Sequence, residues 1–402
     1  MNDIQRFQAL VESGELLHPV SDELSIVDFA NALHDVMGVP GITLNRNATR
    51  IKSLVGEPDH LVLVLADGYG MNFVETLETD SFMRSQLAAE MRTVFPSTTP
   101  IVLTSLATGK WPSRHSVIGW FLRLQQIDAV STIISYTRTA DGKALSELGV
   151  RAQDAYPLPS RIGRTSRDAI HIMPEQLVDS AYSNYWTGGH SQVGYEADNP
   201  QQAIQLAARH LRPGAGPTCS YIYLPQVDSA AHKLGATHEV TLNAARDLDR
   251  LLGGLAESLP SSTRIVVTAD HGHLDTPEDK RYAADGPGDE IASLCDGALT
   301  GDPRAVYADV PPDRLPDFKD AVRRRLGEDF IVLTAEEVQE LGLMGVGEPT
   351  VETTSRMGNV LLLSAGEAIY DFREILGDER FPMISHHGGL TPEEMRIPLV
   401  IA

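Results

Sequence analysis

The first 58 residues carry apolar positions at helical spacing, clearest around Ile26–Met37, which predicts a helical lead-in. The first unbroken apolar run is LVLVLADG, Leu61–Gly68. Such a run, stopped by Asp-Gly, predicts a strand of a parallel sheet covered on both faces, where no position needs to be polar. Two more share the pattern, YIYLPQVD at Tyr221–Asp228 and RIVVTADHG at Arg264–Gly272, and IPLVIA at Ile397–Ala402 predicts a fourth buried strand. Helical periodicity lies between them, in PQQAIQLAARHL (Pro200–Leu211) and HEVTLNAARDLDRLLGGLAESL (His238–Leu259). Strands alternating with helices predict an α/β fold with a mostly parallel sheet flanked by helices. Residues 275–380 differ: PRAVYADV, PDRLPDFKDAVRRRLG, FIVLTAEEVQELGL and NVLLLSAG mix short strands and helices. They are expected to form a smaller α+β insertion or cap on a core built from 1–274 and 381–402. The Ser/Thr/Tyr-rich stretch from Phe121 to Asn199 is expected to hold a second substrate-facing insertion.

Candidate chemistry sits where these runs end. Each of the first three releases an aspartate, Asp67, Asp228 and Asp270. In open α/β sheets ligands bind beyond the carboxyl ends of the strands. Asp228 and His232 are four apart in DSAAH, which faces both the same way on a helical turn and suits a divalent ion such as zinc. Asp270 and His271 share a strand end in TADHGH, with His273 close by in a structural or supporting role. In SHHGGLTPEEMRIPLV, His387 precedes Gly388-Gly389, which let backbone approach a crowded centre, and His386 takes a structural role beside it. In VFPSTTP, Ser97, Thr98 and Thr99 precede an apolar helical stretch. They suit a helix N-cap, and equally a hydroxyl nucleophile where the dipole and free N–H groups favour an anion. Each piece alone has a plain explanation as a turn, a cap or a local Asp–His bond. Their joint occurrence at successive strand ends does not.

Taken together and in this order, the motifs from Leu61 to Leu399 resemble the alkaline phosphatase superfamily, most closely its type I phosphodiesterase / nucleotide pyrophosphatase branch, with phosphonoacetate hydrolase as a near relative. The resemblance implies an alkaline phosphatase-like core and two divalent ions, zinc first and manganese second. It implies one ion held by Asp67, Thr99, Asp270 and His271, and the other by Asp228, His232 and His387. Thr99 is implied as the nucleophile, since the family's threonine lies nine residues before a Thr-Gly that matches Thr108-Gly109; Thr98 is the alternative. The implied activity is hydrolysis of phosphoric diesters of small nucleotide or cyclic dinucleotide type through a phosphothreonine. Phosphonate C–P hydrolysis and monoester hydrolysis are the alternatives. Trp120 stands where family phosphodiesterases often carry an asparagine that stabilises a phosphoryl oxygen.

Composition narrows the partners. A net charge of −22 over 402 residues argues against a nucleic-acid polymer or an anionic membrane surface, but not against a small phosphorylated substrate at a cationic site. The two cysteines, Cys219 and Cys295, form no motif, no run approaches the ~20 apolar residues of a membrane span, and no signal peptide is visible. A cytoplasmic location is therefore expected. Lys110, Arg114, Arg123, Tyr136 and Arg138 are candidate contacts for phosphate or base. Nothing in the pattern fixes an oligomeric state.

Overall fold

In the computed structural model, which describes residues 2–211, 216–284, 286–378 and 382–402, two seven-stranded sheets organise the chain. The strands of the first are β1 (His60–Ala66), β2 (Leu87–Arg92), β3 (Asp168–Pro174), β4 (Ser191–Tyr195), β5 (Thr218–Leu224), β6 (Thr263–Thr268) and β7 (Arg396–Ile401). Their spatial order is β2-β7-β6-β1-β5-β3-β4. The five strands from β6 to β4 are parallel, and β1 at their centre is buried along its whole length. That burial explains why the apolar runs are unbroken. The closing strand β7 departs from the parallel pattern: it runs antiparallel to both β2 and β6. Its Pro398 faces Glu90 of β2, whereas pairing with β6 is confined to Val400 and Ile401, so the missing N–H interrupts no ladder on that side.

Helices cover the first sheet, among them Ile26–Val36, Pro200–His210 and Glu239–Ser258, close to the segments expected from periodicity. Ile26–Val36 begins at a reciprocal Ser25–Asp28 capping box, which satisfies donors that the first helical turn leaves open. Among the described residues no helix is long and apolar enough to cross a membrane.

The second sheet is antiparallel and runs, by residue number, 330–334, 360–364, 305–308, 300–302, 121–124, 129–132 and 137–138. The 275–380 block supplies four of these strands and 121–138 the other three. Both faces of its central strands are buried. Ala305, Tyr307, Ile331, Leu333, Leu361 and Leu363 pack into the main core, while Val306, Ala308, Val332 and Leu362 pack with Phe318, Ala321, Val322 and Leu326 of the helix Leu315–Leu326. Alternate residues of a strand point to opposite faces, so one apolar run joins this sheet to the main core and to its own helix. A buried ion pair ties the layers together: Arg304 Nε and Nη2 lie 2.6 and 2.9 Å from the Glu394 carboxylate, which also accepts N–H bonds from Gly389 and Thr391.

Candidate active site

Three parallel strands deliver three carboxylates to one sheet edge. After β1 the chain turns at Asp67-Gly68, after β5 the helix Gln226–Leu234 begins with Asp228 in its first turn, and after β6 come Asp270 and His271. The backbone fixes their spacing, since Asp67 N–H donates to Leu224 O (2.9 Å) and Asp228 N–H to Asp67 O (3.2 Å). Gly68 has φ +68° and no room for a side chain, because a Cβ there would meet the His273 ring at 2.8 Å. Only glycine meets both demands comfortably. The late segment joins through a short antiparallel pairing of Leu274–Asp275 with Ser385–His386, which sets His387 beside the other histidines.

All seven side chains expected at the site meet here. His271 Nε2 lies 3.3 Å from Thr99 Oγ1, 3.3 Å from Asp270 Oδ2 and 3.6 Å from Asp67 Oδ1. Asp228 Oδ1 lies 3.2 Å from His232 Nε2 and 3.8 Å from His387 Nε2. His273, expected to support rather than join the cluster, brings its Nε2 to 2.9 Å from Asp228 Oδ1. Two groups of ligand-type atoms result, Asp228, His232, His273 and His387 in one and Asp67, Asp228 and His271 in the other, with Asp228 common to both. Asp270 stands beside the second group, its Oδ1 accepting from the N–H groups of Gly68 and His271 (both 3.0 Å).

The four histidines share one arrangement. Nδ1 is occupied in each: His232 by Ser385 O (2.9 Å), His271 by Gly272 O (3.1 Å), His387 by Ser97 O (3.0 Å) and His273 by Ser385 Oγ (3.2 Å). A carbonyl can only accept, so the first three carry their proton on Nδ1 when neutral. Ser385 Oγ donates to Leu274 O, which leaves it to accept from His273. Every Nε2 therefore faces the cluster, the orientation that outer hydrogen bonds select in histidine metal ligands.

The charges are unbalanced without a cation. Asp67 and Asp270 are buried, Asp67 Oδ1 and Asp270 Oδ2 have no hydrogen-bond partner, and no lysine or arginine pairs with the three aspartates among the described residues. Burial, then Asp270 and Asp228, push the Asp67 carboxyl well above the usual range, while Tyr223, whose hydroxyl donates to Asp67 Oδ2, opposes them. At Asp228 burial acts in the same direction but is outweighed by His232 and His273, which hold it well below its ordinary value. Burial, then the other three ring systems, depress His387. Buried carboxylates with imidazole Nε2 atoms converging on them fit divalent ions, the type of ligand set that such ions take.

Thr99 is the first residue of the buried helix Thr99–Thr108, whose C-terminus is closed by Gly109 at φ +63°. Thr98 is the N-cap residue, yet its hydroxyl makes no capping bond, so the plain capping role is not taken up. Both threonines line a cleft with Asp67, Asp228, His232 and His387, and with Trp120, Phe121, Ile134, Tyr223, Asp302, Pro303, Arg373, Met383 and His386. His386 bonds Thr276 Oγ1 through Nδ1. None of Lys110, Arg114, Arg123, Tyr136 and Arg138 lines this cleft; Arg123 and Arg138 pair with Asp128 and Asp141, and the Tyr136 hydroxyl donates to Val150 O. Among the described residues the cation that does line it, Arg373, and the acid Asp302 escaped sequence reasoning because neither sits in a motif.

The family model for type I phosphodiesterase / nucleotide pyrophosphatase matches residues 61–287, more than half of the chain. The chain belongs to that family. It is thus a phosphodiesterase / nucleotide pyrophosphatase-type hydrolase, from a metal-dependent family, with candidate Asp and His ligands in place. No curated protein matches it. Among solved structures it is similar to murine ectonucleotide pyrophosphatase / phosphodiesterase 5, at 14% identity and a TM-score of 0.61 over 84% of this chain and 87% of the other. An inactive variant of that mouse protein, in complex with AMP, matches at 12% identity with the same TM-score and the same shares of the two chains. Phosphonoacetate hydrolase from Sinorhizobium meliloti, in complex with phosphonoformate, matches at 16% identity and a TM-score of 0.57 over 86% of this chain and 90% of the other. At these identities the likeness is one of fold.

Proposed function

We propose that this family member hydrolyses small phosphoric diesters of nucleotide or cyclic dinucleotide type through a phosphothreonine on Thr99, with two divalent ions, zinc first and manganese second. The observation that carries the reading is the set of four imidazoles with Nδ1 occupied and Nε2 turned inward around Asp228, beside the Thr99 hydroxyl. Asp228, His232, His273 and His387 would hold one ion, and Asp67, Asp270, His271 and Thr99 the other. When bound, such ions supply Lewis-acid stabilisation of the attacking and leaving oxygens.

Thr99 Oγ1 attacks phosphorus, the bond to one ester oxygen breaks, and an alcohol leaves. Water then cleaves the phosphothreonine, releasing a phosphomonoester and restoring Thr99. The helix N-terminus at Thr99 turns the Thr99 N–H and a favourable dipole towards the phosphoryl anion, since Pro100 has no N–H and those of Ile101 and Val102 donate to Thr98 O. An apolar pocket lined by Leu103, Met173, Tyr182, Trp186 and Tyr221 adjoins the cleft across the shared walls Ile134 and Tyr223, and suits a flat, weakly polar substituent such as a base. AMP bound to one fold relative and phosphonoformate to another support a small phosphorus-containing substrate. The second of these keeps C–P hydrolysis as the alternative.

Turnover of bis-p-nitrophenyl phosphate, p-nitrophenyl phosphate, cyclic dinucleotides and phosphonoacetate, each with zinc and with manganese, separates these readings. The proposal expects diesters to lead and Thr99→Ala to abolish their turnover while the ion held by the Asp228 group is retained. Diester turnover by Thr99→Ala at the parent rate would end it.

A further inference from the structure

Strand β5 carries two tyrosines near its carboxyl end. Tyr221 and Tyr223 are two apart, so both side chains leave the sheet on the same face. Tyr221 stays in the apolar pocket, packed on Trp186 with ring centroids 4.2 Å apart. Tyr223 lies one step nearer the site and lines both that pocket and the cleft. Its backbone is fixed from two sides. It pairs with Leu65 of β1, two residues before Asp67, and its carbonyl accepts from the Tyr195 hydroxyl (2.9 Å). Its own hydroxyl donates to Asp67 Oδ2.

That bond sorts the carboxylate oxygens beside Thr99. Asp67 Oδ2 is taken by Tyr223, while Oδ1 is buried without a hydrogen-bond partner among the described residues. At Asp270 the labels are exchanged: Oδ1 accepts from the N–H groups of Gly68 and His271, and Oδ2 is the bare oxygen. The two bare oxygens stand 3.6 and 3.3 Å from His271 Nε2, and Thr99 Oγ1 stands 3.3 Å from the same nitrogen. Each of four side chains thus brings one donor atom to one place, the number that zinc most often takes. The groups holding the other two oxygens are backbone N–H groups and a phenol, all neutral. A lysine or arginine in place of Tyr223 would orient Asp67 too, but its charge would oppose an incoming cation. The phenol orients the carboxylate and leaves its charge for the ion.

We propose that Tyr223 is a positioning residue for the ion assigned to Asp67, Asp270, His271 and Thr99: its hydroxyl holds Asp67 by Oδ2, so that Oδ1 alone is presented to the ion. This rests on the two-ion reading above. Without the hydroxyl, Oδ2 is released and Asp67 is free to turn or to offer both oxygens. Outer hydrogen bonds of this kind fix the orientation of metal ligands, and removing one lowers metal affinity or activity by about 10–100-fold. The ring of Tyr223 has a separate task as the wall between cleft and apolar pocket. Phenylalanine keeps that wall and removes only the donor.

The test compares the full chain with Tyr223→Phe and Asp67→Ala. Two readouts are taken: zinc affinity by competition with a chromophoric chelator, and turnover of bis-p-nitrophenyl phosphate at limiting and at excess zinc. Asp67→Ala should abolish one of the parent's two zinc-binding steps and so identify it. Tyr223→Phe should weaken that same step about 10–100-fold and leave the other within a few-fold. Its turnover should fall at limiting zinc and largely recover in excess zinc, with little change in KM. Tyr223→Phe binding both ions at the parent affinity would overturn the proposal. A raised KM with unchanged zinc affinity would overturn it too, by assigning the hydroxyl to the substrate. Equal weakening of both steps would do the same, since a general loss of packing would then account for it. A parent with fewer than two zinc-binding steps ends the two-ion reading and this proposal together. If the zinc pattern holds while the parent turns over no diester, only the diesterase reading fails and the role of Tyr223 stands.

Discussion

Replacing Asp302 by asparagine should make the metal-free protein less sensitive to rising pH. Asp302 is enclosed with no cation beside it, and burial lifts its carboxyl from the usual value near 4 to about 7. Below both values the side chain is protonated in the folded and unfolded chains alike and contributes no pH dependence. Between them the unfolded chain releases the proton and the folded one retains it, so stability falls as pH rises. Above about 7 the loss is complete. Each pH unit in that window costs about 1.4 kcal/mol, or roughly 4 kcal/mol in all, of which about 2.5 falls between pH 5 and 8. An unfolding entropy of about 2.1 cal/mol/K per residue over 402 residues turns 2.5 kcal/mol into a Tm difference of about 3 °C. Asparagine cannot ionise and lacks this loss. The assay is thermal unfolding by circular dichroism of both proteins in chelator at pH 5 and pH 8. The Tm of the parent relative to Asp302→Asn should fall by about 3 °C between the two. An equal gap at both pH values would show that Asp302 ionises freely in the folded chain, and the burial argument would be wrong.

Other consequences follow from packing and from the histidine set. Arg304 and Glu394 form a fully buried pair, so Arg304→Met or Glu394→Leu alone should cost about 3–5 kcal/mol in urea unfolding, whereas the double variant should recover most of it; additive losses would mean that the pair is not coupled. His273→Asn should reduce tightly bound zinc from two ions per chain towards one, measured by elemental analysis after dialysis, because His273 Nε2 is one of four donors around Asp228; two ions held at the parent affinity would return His273 to a structural role.

How much of this was legible in the sequence follows from what burial does to a pattern. Strands β1, β5 and β6 have helices or other layers on both sides, so each holds an unbroken run of apolar and aromatic residues, and the run declares itself. Strand β2, LAAEMR, is an edge strand with mostly half-exposed positions, and β4, SQVGY, is short, mixed and likewise at an edge, so neither stands out as a run. The aspartates and histidines at the strand ends were readable because parallel topology sends all carboxyl ends to one side, whatever the strand order. Strand order was not readable, nor was the reversed direction of β7, since neither leaves a periodicity. The partnership of 121–138 with 300–364 in one sheet was equally hidden, because hydrogen bonds between distant backbones impose no residue type. Asp302, Arg373 and the inward Nε2 of His273 came to light only once those segments packed. Local sequence specifies which faces are buried and which side chains can carry chemistry. Which of them meet is decided by long-range packing, whose interactions join residues that no spacing along the chain relates.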